Sequence, residues 1–233
     1  MRDIKLIKTT QINIFPTDDI DFIATSNDSS LKKIESNFVL KPLQMSSLPI
    51  QMQQPIILQN GEFNHKGKIY SIEQLVIEQR KIHFSIFANS DISNSFLEEL
   101  LVLLKSFDTR ESIGKYIPLI QTYETVCILP LNIKIEHLIT NFDSDKINSI
   151  ISKNNSNGAK ISIVPSSIKF QIKYNNIPDK LNNNKITIAD KALVIELRDM
   201  SDPKDQIYYT VSPTDFKTHM QLLESIEELH KKK

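Results

Sequence analysis

Apolar and polar residues alternate with the two-residue period of half-buried strands through most of the chain. LIKTTQINIFP, from Leu6 to Pro16, is the first such run. IILQNGEF, KIYSIEQLVIE and KIHFSIFA follow as three strands, with Gly61, Lys66-Gly67 and Arg80-Lys81 at breaks or turns. Within the last of these, Ile82, Phe84 and Ile86 share one face. Further on, LIQTYETVCILP reads as a strand, SSIKFQIKY alternates through Ile168, Phe170, Ile172 and Tyr174, and KITIADKALVIEL and QIYYTV complete the set.

The period changes to that of a helix in two places. One helix opens at Ser90 in SDISNSFLEELLVLLKSF. The other opens at Ser212, with Ser212 as N-cap, Pro213 in the first helical position and Asp215 facing the N-terminal amides. Phe216, Met220, Leu223 and Ile226, with Leu222 and Leu229 beside them, form its apolar stripe and leave His219 on the margin. His230 and the closing lysines suit the negative end of that helix.

Two segments repeat one another. Leu6-Ile7-Lys8-Thr9 matches Leu119-Ile120-Gln121-Thr122, and each is followed by a strand closed by proline, Pro16 or Pro130. The same order of elements then recurs, a strand meander ending in a helix. The expected fold class is α+β: two similar halves, each an antiparallel meander closed by an amphipathic helix, an internal duplication. The halves are drawn as residues 1–113 and 114–233, packed together as one body.

Composition narrows the function classes. At 233 residues the chain can bury a sizeable core as one domain or two. The 28 basic side chains balance 28 acidic ones, so the electrostatic footprint of a nucleic-acid binder is missing. The single cysteine, Cys127, lies in a buried-strand context and excludes an intrachain disulfide or a multi-cysteine zinc site. No run has the length of a membrane span and the N-terminus lacks a signal-peptide core, so a soluble, cytoplasmic protein is expected.

Candidate chemistry is sparse. Asp215 and His219, four apart, are too few ligands for a metal site, and Asp215 is accounted for as a helix cap. His65 falls in a hairpin turn, His83 on the strand face opposite Ile82 and Phe84, and His137 in IEHLI, with no metal-ligand spacing among them. The four glycines are too scattered for a phosphate-binding loop, and no nucleophile elbow occurs. The adjacent acids Asp18-Asp19 and Glu98-Glu99 point apart, and Asp143-Ser144-Asp145 reads as a helix cap. No catalytic residue, cofactor site or metal site is therefore assigned.

Two stretches suggest contacts. IKFQIKYNN interleaves rings with lysines, as a sheet that binds single strands does, but its alternation puts the rings with the isoleucines on the core side. Ser36 to Pro55, rich in proline, methionine and glutamine, reads as an extended segment across the sheet, or as an arm for another subunit. The leading expectation is a non-catalytic binding or assembly subunit with a protein partner or self-association and no membrane. The alternative is a nucleic-acid-binding module using a sheet face or the groove between halves. The third is an enzyme whose site is assembled only in three dimensions.

Overall fold

A computed structural model describes residues 3–43, 54–110, 114–139, 165–172, 191–198 and 205–231. Nine strands and five helices lie among them. In chain order they are β1 (Leu6–Ile14), α1 (Phe22–Thr25), α2 (Asp28–Phe38), β2 (Lys41–Pro42), β3 (Ile56–His65), β4 (Lys68–Ile77), β5 (Lys81–Ile86) and α3 (Ser90–Lys105). There follow β6 (Ile120–Pro130), α4 (Ile135–Leu138), β7 (Ser167–Ile172), β8 (Lys191–Leu197), β9 (Ile207–Ser212) and α5 (Phe216–Lys231). The fold is α+β, with an antiparallel sheet of nine strands in the order β2-β3-β4-β5-β1-β6-β9-β8-β7.

The chain forms two compact units. One comprises Leu6–Val126 with Pro213–His219; the other comprises Met1–Lys5, Cys127–Ser212 and Met220–Lys233. In the first unit the meander β3-β4-β5 is hydrogen-bonded in register, with Leu58 opposite Leu75, Leu75 opposite Phe84, and Ile77 opposite Ile82. Directly opposed residues point to the same side, so Leu58, Leu75, Ile77, Ile82 and Phe84 share one apolar face. Helices α2 and α3 cover that face. Phe96 of α3 meets Phe84, Phe38 and Phe63 edge-on, at centroid distances of 4.7, 5.0 and 5.4 Å.

Local sequence sets both helices. Asn89 caps α3 by accepting from the Ile92 amide at 3.1 Å, and Phe96, Leu97, Leu100 and Leu104 recur at helical spacing on its buried side. Asn27 caps α2 in the same way through Ser30. Helix α2 ends at Val39, whose φ of 52° lies in the left-handed region, and the Leu40 amide turns back to the Glu35 carbonyl. Gly61 lies within β3 rather than at a break. A Cβ there would stand 2.5 Å from Leu40 Cδ2 and 2.7 Å from the Phe38 carbonyl, so the close crossing of the α2 end over the strand requires glycine. The hairpin β3-β4 turns through Lys66 and Gly67, both at positive φ, with His65 the last strand residue.

In the second unit β7, β8 and β9 form another antiparallel meander, with Phe170 opposite Leu193 and Ile195 opposite Thr210. Leu129, Ile133, Leu193, Ile195 and Leu223 supply its buried apolar side chains.

Three expectations require correction. The last helix begins at Phe216 and is capped by Asp215, whose carboxylate accepts from the Thr218 amide at 3.0 Å and its hydroxyl at 2.7 Å. Ser212 instead ends β9 and is fully buried, because the strand claims it first. His219 is not on a margin but fully buried. Within Ser36 to Pro55, residues 36–38 finish α2, Leu40 is buried and Val39 is 54% exposed, so the described part is a helix end and a two-residue strand. Residues 44–53 of that segment, Asp143 to Asp145 and Tyr174 lie outside the described residues.

Candidate binding surfaces

Several reactive side chains of the first unit hold its loops together. Asp19 is buried and accepts from the Lys115 amide at 2.7 Å and the Ile117 amide at 3.1 Å, which ties two loops together. Next to it, Asp108 receives Arg110 Nε at 2.8 Å and Nη2 at 2.7 Å, a two-pronged pair reinforced by Tyr116 Oη at 3.0 Å. Hydrogen bonding from Arg110 holds the Asp108 carboxyl well below the usual carboxylate range, and burial pushes the Tyr116 phenol up to about 12. Asp19, Asp108 and Arg110 are thus each held by partners.

A polar seam lies on the buried side of β1. Thr9, Gln11 and Asn13 are fully buried among the core residues. Gln11 Oε1 accepts from the Ser93 hydroxyl, and Gln11 Nε2 donates to Asn13 Oδ1 and Asn94 Oδ1, each at 3.2 Å. Asn94 Oδ1 also accepts from Gln121 Nε2 at 2.9 Å and Tyr123 Oη at 2.8 Å. Thr9 Oγ1 donates to the Ala88 carbonyl at 2.8 Å. Such a satisfied network fixes β1, α3 and β6 in one register. Sequence reading passed over it, because Thr, Gln and Asn alternating with Ile are indistinguishable from a solvent face.

The histidines occupy several different environments. His83 lies opposite Ile12 and Val76, on the sheet face away from α2 and α3, with its pKa lowered by burial and by Lys81. Burial alone lowers the His219 imidazole to about 4. His137 and His230 stack at 5.1 Å in the second unit, and His65 packs on Phe63. Cys127 is free and fully buried, and burial pushes its thiol up to about 12, which removes its nucleophilic form at neutral pH. Among the described residues no three His, Cys, Asp or Glu side chains group to hold a metal ion, and no helix is long and apolar enough to cross a membrane.

Two grooves stand out. In the second unit, a groove of about 470 Å³ runs between β7 and α5. Phe170, Ile172 and Leu193 form its sheet wall, Leu222, Ile226 and Leu229 its helix wall, and Leu138 one end. Its walls are almost wholly apolar. Phe170 remains 40% exposed and Leu229 61% exposed, although alternation had placed Phe170 in the core. Lys169, Gln171, Lys191 and Ala192 of the same two strands line a separate, more polar depression. In the first unit a second groove, also about 470 Å³, lies between the ends of α2 and α3 and is bordered by Glu98 and Glu99.

No family model, curated protein or solved structure matches this chain. The geometry of these surfaces therefore carries the functional reading.

Proposed function

We propose that the protein is a non-catalytic binding or assembly subunit, and that the apolar groove between β7 and α5 receives a protein partner. The observation that carries this reading is a large, nearly polar-free groove with two big apolar side chains, Phe170 and Leu229, at its mouth. Each such side chain left in water forgoes about 1.5–3 kcal/mol of burial. Contiguous exposed apolar surface marks interaction sites. A protein segment with its own apolar side chains is the complementary occupant, and a cytoplasmic setting belongs to the same proposal. The test is affinity capture from the native host, with and without nuclease, for the wild type and for Phe170→Asp and Leu229→Asp. A nuclease-resistant partner lost by both variants supports the reading; a nuclease-sensitive haul favours nucleic acid.

The same proposal includes an internal duplication. It is supported by strand order: β3-β4-β5-β1 in the first half corresponds to β7-β8-β9-β6 in the second. Each half also opens with a long strand and closes with a helix of 16 residues, α3 or α5. Superposing the four strands and closing helix of each half tests it; helices on opposite faces of their meanders would sink it.

A further inference from the structure

Beyond the apolar groove, we propose a second docking site, between the C-terminal turns of α2 and α3, for a cationic amphipathic peptide segment. Glu98 and Glu99, with Val102 and Leu103 one turn further along α3 and Ser106 after them, line it together with Asn37 and Phe38 of α2. All belong to the first unit. Val102 is 72% exposed, whereas Phe96, Leu97, Leu100 and Leu104 of the same helix are buried and Ile92, Leu101 and Leu103 are partly buried against the core, so Val102 contributes little to the core.

Charge selects the occupant. Among the described residues neither Glu98 nor Glu99 has an ion-pair or hydrogen-bond partner. Helices α2 and α3 both bring their last turns to the groove, and helix C-termini carry partial negative charge. Of the nearby cations, Lys33 lies 5.7 Å from the Phe107 ring centroid, and Lys105 is in the last turn of α3, where it offsets that helix's own dipole. The lining thus combines two carboxylates, unpaired among the described residues, with the apolar side chains of Phe38, Val102 and Leu103. A segment that lays Leu or Ile on Val102 and Leu103 while Lys or Arg reaches Glu98 and Glu99 meets both demands, as in helix-in-groove recognition. Rim charges of this kind set partner choice and salt dependence.

The probe is a short synthetic helix of Lys, Leu and Ala, titrated into the isotope-labelled full chain and followed by amide NMR shifts and fluorescence anisotropy. A matched peptide with Glu for Lys is the control. The expected result is shifts centred on Asn37, Glu98, Glu99, Val102 and Leu103, binding weakened by salt, and no binding of the control. Glu98→Gln with Glu99→Gln, isosteric and surface-exposed, should weaken affinity about tenfold. Shifts elsewhere, equal binding of the control, or unchanged affinity of the double variant would each overturn the proposal. So would a protein that sediments as a dimer through this groove and excludes the peptide, because the occupant would then be a second copy.

Discussion

Phe170 on β7 stands directly opposite Leu193 on β8, yet Phe170 is 40% exposed and Leu193 only 5%. Two apolar side chains on one sheet face thus have different tasks. Leu193→Ala should cost about 2–5 kcal/mol, the range for emptying a core position. Phe170→Ser should change stability by less than about 1 kcal/mol, as at a surface site. Urea unfolding midpoints for the two variants check this, and equal losses would mean that Phe170 is a core residue.

His219 makes stability depend on pH. Its folded pKa is about 4, below the ordinary 6.5, so the unfolded chain binds more protons between those values. The contribution is present in full above pH 6.5 and is lost as pH falls toward 4, by up to roughly 3 kcal/mol. His219→Asn should flatten this part of the pH–stability curve, measured by urea unfolding at each pH.

Asn94 is the hub of the buried seam, because its carbonyl oxygen accepts from Gln11, Gln121 and Tyr123. Asn94→Ala leaves the fully buried Gln11 amide short of an acceptor and should cost about 1–3 kcal/mol. Asn94→Asp, which retains the acceptor, should recover much of the loss at neutral pH. Thermal unfolding of both variants distinguishes the network from simple packing.

Val39 holds a left-handed backbone, φ 52°, with its side chain 54% exposed. A β-branched residue there is strained and contributes little packing, so Val39→Gly should stabilise the protein by about 1 kcal/mol. A raised urea midpoint with an unchanged slope is the expected reading.

Much of this architecture can be read from local pattern, and the departures have physical causes. The meanders and α3 follow from periods of two and 3.6 that no tertiary contact overrides. In β1 the period is legible but the side is not: Thr9, Gln11 and Asn13 are buried because Ala88, α3 and β5 bring them partners distant in sequence. SPTD at residues 212–215 offers two caps, and the continuation of β9 decides for Asp215. Alternation assigns Phe170 to the α5 side of the sheet but says nothing of how far α5 reaches across it. Glu98 and Glu99 are adjacent on α3, yet both line one groove with Asn37 and Phe38 at the end of α2, which sequence spacing alone does not show.

The most direct test of a binding role is hydrogen–deuterium exchange on the protein alone and in complex with the partner captured from its host. Slowed exchange confined to Ser167–Ile172 and the Leu222–Leu229 stretch of α5 is the predicted result. Protection that leaves both elements unchanged would contradict the assignment of the β7–α5 groove as the partner's seat.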